Sequence, residues 1–284
     1  MASRFIRSIE DFSLAYNLGI IAKIKLILHY PLFKLLWLES YGNESSRAIS
    51  RRLLPLFNGY AIHLRVAAKD GTDGQIRVPF AANDYASFAE VIMAEAYRDD
   101  YQNVETVVDL GANTGMASLW FLLRLPRLKK LVAVEPNPRL GSVIRKNVES
   151  YARGRFTLEE GCVSDSDQPF ANLQLLDDNH RHTRIGFSDH GDVRNMRLAE
   201  LLDRHGLPTV DLLKMDIEGS EYALLNDAKS LRRCSRIVAE IHGVPEDRGK
   251  FVAALGQIGF SVCRPGAVGG PCEMITATRT RSSD

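Results

Sequence analysis

The sequence lacks a long uncharged apolar run. Its most apolar stretch, residues 20–38 (IIAKIKLILHYPLFKLLWL), is interrupted by Lys23, Lys25, His29 and Lys34, and Pro31 breaks a helix there. The roughly 18 apolar residues that a membrane-crossing helix needs are never reached. Cysteine is also sparse. Cys162, Cys234, Cys263 and Cys272 form no C-x-x-C pair and no zinc-finger spacing, which excludes a disulfide framework and a cysteine-based zinc site. With no secretory leader pattern, the expected location is the cytoplasm. Neither sign of charge dominates: the net charge of +1 gives no reason to expect a nucleic-acid partner. Internal repeats are lacking too.

What remains is an ordinary globular balance, 45% hydrophobic and 25% charged residues. The charge is unevenly placed. Residues 1–60 hold eight Lys/Arg against four Asp/Glu. The basic, apolar segment 20–38 therefore reads as amphipathic helix, suited to covering the domain, to a second copy in a homodimer, or to the inner face of an anionic membrane.

Along the chain, AIHLRVAA and QIRVPF flank a Lys69–Gly74 turn and predict a hairpin. A helix follows at 87–97, with Asp84 as its N-cap. From Glu105, strand-like and helix-like segments alternate: TVVDLG, ASLWFLLRL, KLVAVEP, RLGSVIRKNVESYA and FTLEEGCVS. After a polar stretch (165–193) with little periodicity come MRLAELLDRHG, VDLLKMDIEG, SEYALLNDAKSL, RIVAEIHG and GKFVAALGQIG. This order predicts a doubly wound α/β sheet of parallel strands. The last two strand segments, FSVCRPG and CEMITATRT, are joined too closely for a crossover helix and are expected to pair antiparallel at one edge. The organisation is then a helical extension (1–58), a hairpin and helix (59–104), and the α/β domain (105–284).

The chemistry gathers at the strand ends. Asp109-Leu110-Gly111-Ala112-Asn113-Thr114-Gly115 is a glycine turn between strand and helix, where backbone can approach a ligand and helix N–H groups lie open. With only Gly111 and Gly115 it lacks the middle glycine of G-x-G-x-x-G, which counts against an NAD-dependent oxidoreductase. Glu135 ends the next strand, 26 positions after Asp109, near the roughly 20-residue offset of a ribose-binding acid. Asp109, Glu135, Asp165, Asp216, Glu218 and Glu240 make an acidic rim with Lys214 as the main cation. Such a rim suits a cationic ligand without phosphate, and S-adenosyl-L-methionine has that character. Alternation places Lys214, Asp216 and Glu218 on one face, and Glu240 with His242 on one face.

DLGANTG, VEPNP, CVSD, LLKMDIEGSEYALL and EIHG, in that order, resemble the FkbM-type methyltransferases over residues 83–260. The resemblance implies a Rossmann-like sheet of seven strands with the last antiparallel, S-adenosyl-L-methionine as cofactor, and O-methylation of a glycan or small-metabolite hydroxyl. Carried over, it sets Asp109, Gly111, Asn113 and Gly115 around the methionine part and Glu135 and Asn137 at the ribose. Val163 and Ser164 then border adenine, and Asp216 stands near the sulfonium. Removing the acceptor proton needs a base, worth on the order of 10²–10⁴-fold. The candidates are His242, then Asp216 and Glu240, with Lys214 orienting. His180 and His182, in the polar stretch, read as solvated loop residues, so no metal is expected. A chain that binds cofactor without turnover, docking through its N-terminal segment, is the remaining alternative.

Overall fold

The computed structural model describes residues 44–53, 60–79, 87–175, 183–263 and 272–280, with residues 16, 18, 21, 24, 25, 28, 29 and 56. Most of segment 20–38, the Asp84 cap and the His180/His182 pair lie outside the described residues. No helix among the described residues is long and apolar enough to cross a membrane. The chain divides into two units, and the glycine turn crosses from one to the other at Asn113/Thr114.

The first unit takes in residues 1–102, 114–126 and 143–153. Helix α1 (Glu44–Leu53) lies in it, as does the hairpin of β1 (Ala61–Ala67) and β2 (Asp73–Pro79). The hairpin pairs antiparallel from Ala61↔Pro79 to Ala67↔Asp73, with alternate residues buried as predicted. Tyr151 donates from its hydroxyl to the Val66 carbonyl at 2.9 Å. The expected helix after it is instead a π-helical turn, Phe88–Met93. Glu95 ends that segment at φ 51°, its buried carboxylate held 2.7 Å from Arg124. Arg124 closes α2 (Met116–Arg124), whose residues 116–123 are all buried. Gly115 precedes α2 at φ 81°, and a Cβ there would stand 3.1 Å from Ile144 of α3 (Gly141–Ala152).

The second unit holds residues 103–113, 127–142 and 154–284. Its strands are β3 (Thr106–Leu110), β4 (Lys130–Glu135), β5 (Phe156–Val163), β6 (Phe170–Leu175), β7 (Thr183–Ser188) and β8 (Val193–Met196). After α4 (Leu198–Arg204) come β9 (Val210–Met215), α5 (Glu221–Leu224), α6 (Ala228–Leu231), β10 (Cys234–His242), α7 (Pro245–Ile258), β11 (Phe260–Cys263) and β12 (Cys272–Arg279). Among the described residues, one sheet runs β11-β12-β10-β9-β3-β4-β5-β8-β6-β7. The first seven of these are the expected methyltransferase sheet. Strands β10, β9, β3, β4 and β5 are parallel, and β12 pairs antiparallel with both β10 and β11.

Two expectations are corrected here. The polar stretch after β5 is not loop alone: β6 and β7 form an antiparallel hairpin, and β8 joins it to β5, extending the sheet. Alternation is masked there because one strand carries mostly polar residues, while Ala171 and Val193 supply a small buried cluster with Cys162. The helix predicted over 220–231 is broken into α5 and α6. Asp227 leaves helical geometry at φ −97°, ψ 55° and caps the second piece, accepting from the Ser230 N–H at 3.1 Å.

The core of this unit combines Val108, Leu110, Val132 and Val134 from β3 and β4 with Leu213 and Met215 of β9, Ile237, Ala239 and Ile241 of β10, and Phe251 and Leu255 of α7. Strands buried on both faces explain the near-continuous apolar runs. Two polar exceptions interrupt them, Asp109 and Lys214, which are register partners on neighbouring strands.

Candidate active site

The carboxyl ends of β3, β4, β5 and β9 open onto one cleft. Gly111 makes the turn out of β3 at φ 76°, and its N–H donates to the Val134 carbonyl at 3.0 Å. A Cβ at Gly111 would lie 1.8 Å from the carbonyl oxygen of Asp216, so only glycine fits. Asn113 follows at φ 50°, and its N–H donates to Glu135 Oε2 at 2.7 Å. The other oxygen of Glu135 accepts from the Asn137 N–H at 2.9 Å. Burial raises the Glu135 pKa, and these two backbone donors oppose the shift. A carboxylate has about four acceptor positions, so lone pairs remain for ribose hydroxyls.

Lys214 sits beneath the turn. Its Nζ lies 3.0 Å from Asp109 Oδ1 and 3.8 Å from Asp216 Oδ2, and donates to the carbonyls of Gly111 at 2.6 Å and Leu110 at 3.2 Å. Burial works against its charge, but Asp109 and then Asp216 prevail and its pKa rises. β9 stops at Met215, so the alternation expected to carry Lys214, Asp216 and Glu218 onto one face does not continue. Glu218 instead adopts φ 54°, and Asp216, Ile217 and Glu218 all line the cleft.

Beside them stands His242, the last residue of β10. Its Nδ1 is 3.1 Å from Glu221 Oε1, while its Nε2 is 3.5 Å from Glu218 Oε2 and 4.0 Å from Glu240 Oε1. Burial opposes protonation of this imidazole, but Glu221 above all, with Glu218 and Asp216, lifts its pKa to about 9. Asp216 is pushed to about 7: burial raises it, Lys214 opposes, and Glu240 and Glu218 add to the rise.

Of the residues singled out in the sequence, Gly111, Asn113, Glu135, Val163 and Asp216 line the cleft. Asp109 and Lys214 form the buried pair behind it. Asn137 is buried, its Oδ1 accepts from the Arg139 N–H at 3.1 Å, and its Nδ2 has no partner among the described residues. Ser164 faces elsewhere, donating to Asn195 Oδ1 at 2.9 Å. Gly115 belongs to the other unit, where its fit is against Ile144. His242 and Glu240 stand beside the cleft without lining it. Sequence reasoning missed Glu221, a fully buried acid that also accepts from the Ile217 N–H at 3.0 Å. At the start of a helix it reads as an ordinary dipole-favouring acid.

The lining carries Glu135, Asp216 and Glu218 but no lysine or arginine. That donor chemistry fits a cationic, phosphate-free nucleoside and disfavours a dinucleotide. Strand order and cleft together define a Rossmann-like methyltransferase. The family model described as "Methyltransferase FkbM domain" matches residues 109–265, and the chain belongs to that family. S-adenosyl-L-methionine is its cofactor. Methyltransferase sdnD of Sordaria araneosa is 28% identical over 67% of this chain and 90% of its own length. The 31-O-demethyl-FK506 methyltransferase FkbM of Streptomyces tacrolimicus is 27% identical over 62% and 81%. The solved structure of a methyltransferase FkbM from Methylobacillus flagellatus KT aligns at TM-score 0.44 and 12% identity, over 69% of this chain and 54% of that one.

Proposed function

We propose that the chain methylates a hydroxyl oxygen of a glycan or small metabolite. When bound, the cofactor supplies an electrophilic methyl group. Glu135 receives the ribose hydroxyls, Gly111 and Asn113 present backbone to the methionine part, and Val163 borders the base. Lys214 holds the turn carrying Gly111 and keeps Asp216 facing the cleft.

The observation that carries the reading is Asp216. Its side chain, 26% exposed, lines the cleft at the end of β9. An attacking alcohol must give up its proton, and a carboxylate within the cleft is the group placed to take it. His242 is the weaker candidate, since Glu221 and Glu218 hold it in the protonated form. The relative from Streptomyces tacrolimicus, whose name states an O-methyl position, supports oxygen as the target.

The test is a panel of hydroxyl, amine and thiol acceptors, monosaccharides and polyketide alcohols included, incubated with purified protein and S-adenosyl-L-methionine. Release of S-adenosylhomocysteine, with one added methyl on an alcohol by mass spectrometry, is the expected result. Turnover confined to amines or thiols would overturn it.

A further inference from the structure

We infer that Asp216, Glu218 and His242 form a divalent-cation site at the edge of the cofactor cleft, and that the acceptor presents a chelating oxygen pair such as a vicinal diol. The role of the cation rests on the O-methylation reading; its binding does not.

One donor atom from each of the three side chains lies within 4.8 Å of the others. Ligand atoms about 2.0–2.6 Å from a common ion stand roughly 3–5 Å apart, so small rotamer changes suffice to close the set. The donors come from the ends of two adjacent strands, β9 and β10, and meet only in the fold. For that reason no metal-ligand spacing is visible along the chain.

The imidazole is held as a ligand would be. Glu221 Oε1 stands 3.1 Å from Nδ1 and holds the proton there, so an ion that displaces the Nε2 proton meets a lone pair directed toward Glu218 and Glu240. A buried carboxylate on the far nitrogen of a ligating histidine fixes its tautomer and raises its basicity. Glu221 is fully buried, and its second oxygen has no hydrogen-bond partner among the described residues. A helix-capping acid would not need such a position.

Charge points the same way. Asp216, Glu218, Glu221 and Glu240 surround one imidazole, while Lys214, the nearby ammonium, is shared with Asp109. The protonated imidazole offsets one of these charges, and a divalent ion in place of its Nε2 proton would offset more of the mutual repulsion of the acids. Two carboxylates and one imidazole suit Mn²⁺ or Mg²⁺ better than a thiophilic ion. Three protein donors leave positions open, and two acceptor oxygens in those positions would be both oriented and acidified, with the second oxygen of Asp216 left to take the proton.

Mn²⁺ is the probe. Its binding to the full-length protein, saturated with S-adenosylhomocysteine, is read from loss of the free-ion electron paramagnetic resonance signal. One Mn²⁺ per chain is expected, with affinity at least tenfold lower in His242→Gln and in Glu221→Gln, while both variants bind S-adenosylhomocysteine like the parent. Failure to take up Mn²⁺ at millimolar concentration, in protein that binds S-adenosylhomocysteine, would overturn the inference. Equal affinity in parent and His242→Gln would overturn it too, by placing the ion elsewhere. No acceptor is present in this assay. Its failure leaves O-methylation standing, and a silent hydroxyl panel leaves the cation site standing.

Discussion

Lys214 and Asp109 face each other across neighbouring parallel strands, 3.0 Å apart, with side chains 2% and 0% exposed. Each charge compensates the other in a layer otherwise made of valine and leucine. Removing Lys214 leaves Asp109 buried without the ammonium that faces it, a cost of about 3–5 kcal/mol. Lys214→Met is expected to lower the unfolding free energy by that amount in urea titration. The double variant with Asp109→Leu regains most of it. A loss under about 1 kcal/mol in the single variant would mean that water reaches Asp109.

Gly111 and Gly206 make a matched pair of tests. Both have positive φ, 76° and 60°, but a Cβ at Gly206 meets nothing within 4 Å, while one at Gly111 meets the Asp216 backbone. Gly206→Ala is expected to cost only the left-handed backbone penalty, about 1–2 kcal/mol. Gly111→Ala must move one of two chain segments, so it lowers Tm further and abolishes S-adenosylhomocysteine binding. Thermal melts with and without S-adenosylhomocysteine check both expectations.

Glu135→Gln retains the acceptor for one backbone N–H and loses the charge. A hydrogen bond to a charged group contributes about 1.5–3 kcal/mol, so S-adenosylhomocysteine affinity is expected to fall about 10–100-fold. Calorimetric titration measures it. Unchanged affinity would remove Glu135 from the ribose site.

The four thiols divide by burial. Burial pushes Cys162 up to about 11 and Cys234 up to about 12, whereas Cys263 is exposed. A raised thiol pKa leaves less thiolate, the reactive form, so labelling at pH 8 is slowed and recovers as pH rises. Iodoacetamide is expected to modify Cys263 on the order of a hundredfold faster than Cys162 or Cys234 in native protein. Peptide mapping over time reads the rates, and prior denaturation removes the difference.

The sheet was legible because burial on both faces writes long apolar runs, as in TVVDL and KLVAVE, and glycine or acid marks where each run ends. Glu135 and Gly111 were legible for the same reason: their roles follow from standing at a strand end. The edge hairpin was not, because β7 and β8 carry few apolar residues and the six-residue β6 is set between polar flanks. The break at Asp227 was hidden by good helix formers on either side. Glu221 was illegible in another way. Its importance depends on His242, twenty-one positions away, and only the pairing of β9 with β10 brings the two together.

Gly111 leaves no side chain between its turn and the Asp216 carbonyl, so the two segments meet backbone to backbone. A seam of that kind has no rotamers to absorb a displacement. Whatever shifts the glycine turn on ligand entry is passed to Asp216 as a rigid push, and the reverse holds for anything that pulls on Asp216. If both ligands press on this seam, their affinities are linked, each altering the other by the same factor.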